Sequence, residues 1–458
     1  MTAARAIPTF RDPSGSLTLK DDSAVRLIHP AARPAALEFI GSEFYRRMLR
    51  RGDIVATRVD DDSAEGLRFL HPRIPVPSYP WEWTPSQWLA AAELTLSLCE
   101  EAIAEGWILK DATPLNILFV GPRPVLVDVL SFERRDTGSA LWLAYGQYMR
   151  TFLLPLVMRR LLGWELSLSL FRRDGYEPAE VYRSLHWRQR LSRAAFWPIT
   201  LPVWLEQRQR AGGHPALRRS DPDTALRVLQ GMLKRLRKRT RFAAAGNAAS
   251  NWAAYRETRT HYTAQENAQK QEWMGGLLQE LQPANVLDIG ANTGEFSALA
   301  ANMGADVVAL ERDGAAAEIL YSMSRECRLS IQTIQADIAR PTPAVGWDNG
   351  ESSGLLTRLE GRFELVLMLA VLHHLLLADQ IPLPRIIELC GQLTRRYLVI
   401  EWVPVSDPMY QEMMRGRDDL YGSLTEADLL SACAAGFQLL RQTMLGNGRT
   451  LFLFEKKR

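Results

Sequence analysis

The sequence predicts an α/β protein built from two domains, and two observations support this prediction. The chain has 458 residues, whereas a single domain usually has about 150 residues. Beyond residue 265, apolar strand-like runs alternate with helical patterns, which is typical of a parallel sheet covered by helices. The composition, with 47% hydrophobic and 23% charged residues, is typical of a globular protein.

The boundary between the two domains is predicted near residue 245. Residues 246–264 are mostly small and polar, which is typical of a linker. We therefore expect an α+β domain over residues 1–245, which recognises a substrate or a partner, and an α/β domain over residues 265–458.

The stretch "VLDIGANTGEFSALA", residues 286–300, indicates a strand, a tight turn and a helix. One carboxylate, Asp288, interrupts the apolar strand, and Gly290 and Gly294 can bend the chain sharply. In Rossmann-type sheets this turn brings the backbone close to a ligand at the carboxyl end of the first strand. A turn that only connects a strand to a helix has the same pattern, so the neighbouring strands must decide between the two interpretations.

Two further carboxylates stand where the next strands are predicted to end. Glu311 ends "ADVVALERD", about 20 residues after the glycine turn, which suits a carboxylate that accepts the hydroxyls of a ribose. Asp337 follows the third apolar run, "LSIQTIQADIA". The last run, "FQLLRQTMLGNGRTLFLFEKK", predicts two strands around a hairpin turn at Gly446, Asn447 and Gly448.

This ordered set of features resembles the class I S-adenosylmethionine-dependent methyltransferases over residues 265–458. In that family the first strand and turn read like "LDIGANTG", carboxylates end the second and third strands, and an antiparallel hairpin closes a seven-stranded Rossmann-like sheet. The resemblance implies S-adenosyl-L-methionine as the cofactor. The turn would surround its methionine part, the second-strand carboxylate its ribose and the third-strand carboxylate its adenine amine. The cofactor-binding residues so implied are Asp288, Gly290, Asn292, Gly294, Glu311 and Asp337.

Many members of that family have glycine where this sequence has Asn292. Asparagine tolerates a positive φ better than most residues, so we expect the turn to survive this departure.

Transfer of a methyl group from a sulfonium needs an aligned nucleophile and, for some acceptors, a base that removes its proton. The candidates for that catalytic role are His373, His374 and Glu401, which follow the fourth and fifth predicted strands. Histidine suits a base near neutral pH, but one of two adjacent histidines is often structural. No set of His and carboxylate residues has metal-ligand spacing, so we expect methyl transfer without a metal ion.

The N-terminal half contains a second motif in "GWILKDATPLNILFVGPRPVLVDVLSFE", residues 106–133. Asp111, Asn116 and Asp128 have the order and spacing of the catalytic loop of protein kinases and small-molecule phosphotransferases, and the region resembles that loop. In those enzymes the first aspartate receives the substrate proton, and the asparagine and the second aspartate hold metal ions.

This motif departs from the kinase pattern at Lys110 and in "DVLSF", where the usual glycine is missing. The upstream sequence has neither a glycine-rich phosphate loop nor a convincing strand lysine. Three interpretations stay open: a kinase-like fold without phosphoryl transfer, an active phosphotransferase, and a strand–turn–strand hairpin whose polar residues only stabilise the loop.

Positive charge is concentrated in residues 159–241, which carry 19 Lys and Arg against 7 Asp and Glu, although the net charge of the whole chain is +3. The end of this segment, "KRLRKRTRF", suits an anionic sugar, a phospholipid surface or nucleic acid. Leucines recur at helical spacing through it and favour the alternative, a helix with a solvated basic face. These leucines are Leu226, Leu229, Leu233 and Leu236.

Several features of the sequence favour the cytoplasm. The N-terminus lacks the apolar segment of a secretory signal, and the longest apolar stretch is interrupted by Arg150, Pro155 and Arg159, so no transmembrane segment is predicted. The four cysteines lack the spacing of a zinc site or a disulfide framework.

Together, the two halves resemble the two-part bacterial methyltransferase-like proteins related to a rhizobial nodulation protein. The resemblance implies a methyltransferase whose unidentified acceptor is a small molecule or a glycan, with an N-terminal domain that recognises the acceptor or a partner. Two alternatives stay open. The N-terminal domain is a second enzyme that uses ATP and magnesium, or it is an adaptor that binds a carrier protein, a membrane or nucleic acid.

Overall fold

The chain divides into two compact units. In the computed structural model, residues 5–7, 12–63, 66–209, 219–245, 264–415 and 423–457 are described. The N-terminal unit is Met1–Asn247 with Val345–Glu351, and the C-terminal unit is Ala248–Ala344 with Ser352–Arg458. Residues 246–263, nearly all of the predicted linker, lie outside the described residues, so the predicted domain boundaries stay a prediction.

The N-terminal unit begins with a five-stranded antiparallel sheet. Its strands are β1 (Arg5–Ile7), β2 (Gly15–Leu19), β3 (Ser23–Ile28), β4 (Arg58–Ser63) and β5 (Gly66–Pro72). They lie in the order β1-β2-β3-β5-β4, and the helices α1 (Arg33–Ile40) and α2 (Glu43–Arg51) connect β3 to β4. Leu67, Phe69 and His71 of β5 are buried and alternate with more exposed residues, so one face of the sheet packs on the core.

A long helix and two small pairs of strands follow this sheet. The helix is α3 (Pro85–Ala104), which begins at a capping box formed by Thr84 and Gln87. The strands are β6 (Trp107–Leu109), β7 (Ile117–Val120), β8 (Arg123–Leu126) and β9 (Phe132–Arg134). β7 and β8 form a hairpin, and β6 pairs with β9 in antiparallel register. The kinase-like motif of the sequence therefore lies on the loops that join these four strands.

The rest of the N-terminal unit is helical. Its helices are α4 (Tyr145–Tyr148), α5 (Leu154–Leu162), α6 (Pro178–Ser184), α7 (Trp187–Arg190), α8 (Leu201–Gln209) and α9 (Pro222–Ala244). One π-helical turn precedes α5 and another precedes α8. Pro155 and Pro202 stand at the second position of these two helices and lack the N–H of a regular helical hydrogen bond. Among the described residues, no helix has the length and apolar character needed to span a bilayer.

The C-terminal unit is a seven-stranded sheet covered by helices. Its strands are β10 (Asn285–Ile289), β11 (Asp306–Glu311), β12 (Ile331–Gln335), β13 (Phe363–Met368), β14 (Thr394–Trp402), β15 (Phe437–Met444) and β16 (Thr450–Lys456). They lie in the order β12-β11-β10-β13-β14-β16-β15. The first five in this order are parallel, whereas β16 is antiparallel to both of its neighbours. The α/β prediction and the terminal hairpin are thereby confirmed.

Helices on this sheet bury the central strands on both faces. The helices are α10 (Ala264–Leu281), α11 (Glu295–Asn302), α12 (Gly314–Glu326), α13 (Leu355–Leu359), α14 (Leu372–Leu377), α15 (Leu383–Leu393), α16 (Pro408–Met414) and α17 (Glu426–Ala434). In β10, Val286, Leu287 and Ile289 are all buried. Burial of successive residues is expected when both faces of a parallel sheet are covered.

The basic helix α9 is amphipathic, and part of its charge stabilises the fold. Leu229, Leu233 and Leu236 are buried, as the helical spacing predicts. Arg237 contacts Glu93 and donates to Glu100 of α3 at 2.8 Å, and Arg241 donates to Glu93 at 2.6 Å. The predicted basic stretch therefore divides into arginines that join α9 to α3 and residues that face solvent, such as Lys234 and Arg235.

We expect the substitution Arg237→Ala to lower the free energy of unfolding by about 1–2 kcal/mol, because it leaves Glu100 partly buried without this partner. Arg235→Ala, at an exposed position on the same helix, is the control and should change the free energy by less than about 0.5 kcal/mol. Urea unfolding followed by circular dichroism measures both. Equal losses in the two variants would show that α9 does not depend on these ion pairs.

Candidate functional site

The glycine turn after β10 has the backbone conformation that the sequence predicts. Gly290, Asn292 and Gly294 have φ angles of 70°, 52° and 87°, which residues other than glycine and asparagine rarely adopt. Packing adds a second constraint. A Cβ on Gly290 would lie 2.4 Å from Cγ2 of Val371, and one on Gly294 would lie 2.2 Å from Cδ1 of Leu320. The shape of the turn is therefore set by the protein itself.

Glu311, the last residue of β11, reaches across to this turn. Its Oε2 accepts a hydrogen bond from the backbone N–H of Asn292 at 2.7 Å, and its Oε1 accepts one from Asp313 at 2.7 Å. Burial raises the pKa of this carboxyl above its ordinary value. A carboxylate has about four lone-pair sites, so each oxygen can accept one further hydrogen bond from a ligand.

Asp288 lies behind the turn and is 3% exposed. Its Oδ2 accepts a hydrogen bond from Oγ of Ser297, in α11, at 2.6 Å. Burial raises the pKa of Asp288 to about 6, against the opposing effects of the Ser297 hydrogen bond and the charge of Lys270. Near pH 7 the carboxylate is mostly ionised and can attract a cation at the carboxyl end of β10.

Asp337 follows β12 and belongs to a cluster of charges at the same end of the sheet. Its Oδ2 lies 3.5 Å from Nη1 of Arg340 and 3.8 Å from Nη1 of Arg312. Asp379, whose side chain is 6% exposed, also accepts from Arg340 at 2.9 Å. The sequence analysis missed Arg312, Arg340 and Asp379; Arg312 is 25 residues from Asp337 and Asp379 is 39 residues from Arg340, whereas Arg340 is only three residues from Asp337. Asp288 is thus the penultimate residue of its strand, Glu311 ends the adjacent strand and Asp337 follows the third of these parallel strands.

A small cleft opens beside the glycine turn, at the first residues of α11. It is lined by Asn267, Gln271, Thr293, Gly294, Glu295, Ala298 and Met323. Oε1 of Glu295 accepts from Nδ2 of Asn267 at 2.9 Å and also from Gln271. Of the residues implied to bind the cofactor, Gly294 lines this cleft, whereas Glu311 and Asp337 do not.

The two histidines begin α14, the helix that follows β13. Their ring centroids are 4.3 Å apart. His373 is 4% exposed, and its Nδ1 is buried without a hydrogen-bond partner. Burial, and then the charge of His374, lowers the pKa of His373 to about 3. Burial also lowers the pKa of His374, followed by the charge of Arg312. Both rings are therefore neutral at pH 7 and can accept a proton, His373 only weakly.

Glu401 lies in a buried network of four charges. Its Oε2 accepts from Nζ of Lys270 at 2.5 Å, and its Oε1 accepts from Nη1 of Arg449 at 3.3 Å. Nε of Arg449 donates to Asp407 at 2.7 Å. The four side chains are between 0% and 5% exposed. Sequence reasoning identified only Glu401, because the other three charges come from α10, the residue before α16 and the residue before β16.

The three polar residues of the N-terminal motif are also close to one another. Oγ of Ser131 accepts from Nδ2 of Asn116 at 3.0 Å and donates to Oδ2 of Asp128 at 2.7 Å. Arg26 of β3 donates to Oδ1 of Asp128 at 2.7 Å. The pKa of Asp111 is raised first by burial and then by the negative charge of Asp128. Arg26, which the sequence analysis missed, thus places a positively charged side chain from a neighbouring strand beside this motif.

Burial by itself raises the pKa of Asp128, but the charge of Arg26 and the hydrogen bond from Ser131 bring it below its ordinary value. Arg26 also donates to Oδ2 of Asp12 at 3.3 Å. Within the described residues, no group of three or more His, Cys, Asp or Glu side chains is arranged to hold a metal ion.

The order of the strands, the turn with its positive φ angles and the three carboxylates resemble those of class I S-adenosylmethionine-dependent methyltransferases. In sequence, the chain is similar to nodulation protein NoeA of Rhizobium meliloti (strain 1021). The two are 28% identical over 470 residues, which cover 99% of this chain and 96% of that protein. No protein-family model matches the chain.

Solved structures of methyltransferases match about two fifths of the chain. Magnesium protoporphyrin IX methyltransferase (ChlM) from Synechocystis PCC 6803 with bound SAM is 16% identical, with 42% of this chain and 80% of that chain covered and a TM-score of 0.30. The N-methyltransferase NodS from Bradyrhizobium japonicum WM9 is 12% identical, with 42% and 97% covered and a TM-score of 0.32. These low TM-scores carry no argument about activity.

The bifunctional kinase-methyltransferase WbdD is 19% identical, with 40% of this chain and 38% of that chain covered and a TM-score of 0.30. This match, too, carries no argument about the N-terminal unit.

We expect the substitution Glu401→Gln to lower the free energy of unfolding by about 3 kcal/mol, because it leaves two buried cations with one carboxylate. Glu388→Gln, at an exposed position of α15, is the control and should change the free energy by less than about 0.5 kcal/mol. Urea unfolding measures both variants. A Glu401→Gln protein as stable as the wild type would contradict a structural role for the network.

Proposed function

We propose that the C-terminal unit binds S-adenosylmethionine and transfers its methyl group to a small molecule or a glycan. One observation carries this proposal. Glu311 accepts a hydrogen bond from the glycine turn at Asn292, which brings the second-strand carboxylate to the turn that precedes α11. This contact supports a site in which one ligand is held by both strands.

Each cofactor residue has a role that follows from its chemistry. The ionised Asp288 attracts the positive charges of the methionine part, and the turn at Gly290, Asn292 and Gly294 lets the backbone approach that part closely. Glu311 accepts the two ribose hydroxyls with its remaining lone pairs. Asp337 accepts from the adenine amine in the same way.

The reaction forms one bond and breaks one bond. The acceptor atom attacks the methyl carbon, the bond from that carbon to sulfur breaks, and S-adenosylhomocysteine leaves with the electron pair. The acceptor then loses a proton to a base when it began as a neutral N–H or O–H group. Alignment of the acceptor with the sulfonium is the main contribution of the protein.

Among the candidate bases, His374 is favoured over His373, because the pKa of about 3 makes His373 a weak base at neutral pH. Glu401 is favoured as a positioning residue, since its two oxygens already accept hydrogen bonds from Lys270 and Arg449.

We also propose a cytoplasmic location, which the four free cysteines support, because disulfides are rare in that compartment.

Isothermal titration with S-adenosylmethionine and S-adenosylhomocysteine tests the proposal. We expect both to bind the wild-type protein, and Glu311→Ala to weaken binding about 100-fold because two hydrogen bonds to a carboxylate are lost. Glu326→Ala, an exposed position at the end of α12, is the control and should bind as the wild type does. A wild-type protein that binds neither compound would refute the methyltransferase assignment.

A second candidate function belongs to the N-terminal unit, which we propose has a kinase-like fold that transfers phosphate. Asp111, Asn116 and Asp128 follow β6, precede β7 and follow β8, and Asn116 and Asp128 are joined through Ser131. Arg26 on β3 supplies the positive charge that a phosphate group needs. The same contacts also suit a recognition module without catalysis, because Asp128 already accepts hydrogen bonds at both oxygens.

Titration of ATP with magnesium, followed by a phosphate-release assay, separates these two roles of the N-terminal unit. If the unit is an enzyme, Asp111→Asn should lower ATP-dependent phosphate release by about 100-fold or more, since the acceptor loses its base. Asp21→Asn, an exposed aspartate of the same unit, is the control and should leave the rate unchanged. A wild-type protein that neither binds ATP nor releases phosphate would refute the phosphotransferase and leave the recognition module.

A further inference from the structure

Three of the exposed tryptophans of the N-terminal unit lie close together in the sequence. Trp187 is 57%, Trp197 53% and Trp204 40% exposed, whereas Trp83, Trp88 and other tryptophans of the same unit are buried. Large apolar side chains on a surface that are close to one another mark an interaction site. The three lie within 18 residues of the sequence, on α7, the following π-helical turn and α8.

Contacts between side chains hold these tryptophans in one surface. Nε1 of Trp204 donates to the hydroxyl of Tyr182 at 3.2 Å, and the ring of Phe196 lies 5.4 Å from Trp197 and 6.1 Å from Trp204. The guanidinium of Arg190, in the helix that Trp187 begins, lies 4.1 Å above Tyr182. We call this surface the tryptophan face and define it by the apolar residues Trp187, Leu191, Trp197, Trp204 and Leu205 with the arginines described next.

Arginines predominate around these residues, although the exposed Glu206 directly follows Leu205. Residues 183–205 contain four arginines, Arg183, Arg188, Arg190 and Arg193, and no Asp or Glu. The guanidinium of Arg188 lies 5.2 Å from the ring of Trp187, and that of Arg239, on α9, lies 5.9 Å from the ring of Trp197. The tryptophan face therefore offers cations and indole rings side by side, which suits an anionic partner.

Two aliphatic residues distinguish a lipid surface from nucleic acid. Leu191 is 55% and Leu205 46% exposed. Single-stranded nucleic acid is bound by stacking on aromatic rings and by cations along its phosphates, and aliphatic side chains contribute to neither contact. At a membrane interface, tryptophans lie at the headgroup level, aliphatic side chains enter the acyl boundary, and arginines pair with anionic headgroups.

We propose that the tryptophan face binds the surface of a bilayer that contains anionic lipids, without crossing it. Exposed Trp and Leu side chains beside Arg have the composition of interfacial binding surfaces. Each arginine near an anionic surface contributes to the attraction, and salt screens it. The N-terminal unit would then hold the chain at the membrane surface, independently of whether the C-terminal unit transfers a methyl group.

The test is co-sedimentation of the full chain with vesicles of phosphatidylcholine alone and of phosphatidylcholine mixed with phosphatidylglycerol. We expect binding to the mixed vesicles only, and weaker binding as salt is raised. The double variants Arg183→Glu/Arg188→Glu and Trp187→Ala/Trp197→Ala should each weaken binding about tenfold or more. The control is Arg46→Glu/Arg50→Glu, a matched reversal of two exposed arginines on α2, which should bind as the wild type does.

Several results would overturn the proposal. These are no binding to the mixed vesicles, equal binding to both kinds of vesicle, and equal weakening by the α2 control. Binding to duplex DNA or to RNA that the Arg183/Arg188 variant abolishes, without binding to vesicles, would assign the face to nucleic acid instead. Thermal unfolding of each variant separates a lost contact from a lost fold. The arginine variant keeps the test decisive even if the tryptophan variant unfolds, because Arg183 and Arg188 are exposed.

Discussion

The buried carboxylate of Glu401 is the charge on which the arrangement of the C-terminal unit depends. Removing a charge from water costs several kcal/mol unless opposite charges and hydrogen bonds replace the water. Lys270 and Arg449 supply that replacement, and Asp407 compensates the second cation. Because these residues come from α10, β14, the start of α16 and the residue before β16, the network joins the first helix of the unit to its closing hairpin. A carboxylate at the end of a strand can therefore look catalytic in sequence and have a structural role.

In the same unit, the turn that we propose to hold the cofactor has a shape set by the packing around it. Gly290 and Gly294 have no room for a Cβ, since Val371 and Leu320 already occupy that space. The backbone of the turn is therefore held in place by the side chains of Val371 and Leu320, and its Asn292 N–H donates a hydrogen bond to Glu311. A site that needs little rearrangement loses little conformational entropy on binding. The low pKa of His373 and the raised pKa of Asp288 are further results of the same burial.

Charge has two different roles in the N-terminal unit. Arg237 and Arg241 of α9 are used within the fold, where they pair with Glu93 and Glu100. The arginines of residues 183–205 share that stretch with exposed tryptophans and with no carboxylate. The net charge of the chain cannot distinguish arginines that pair within the fold from arginines that face solvent, because each arginine adds the same charge. Only the positions of the partners show which cations are available to another molecule.

The sequence by itself determined the elements of the C-terminal unit and the backbone of its turn, because hydrophobic periodicity and glycine act over a few residues. It also determined that Asp288, Glu311 and Asp337 lie at one edge, since parallel strands end on the same side of a sheet. The tertiary structure alone decided which charges meet. Lys270 and Glu401 are 131 residues apart, and Arg26 and Asp128 are 102 residues apart. No local pattern encodes such pairs, because they form only when distant elements pack together.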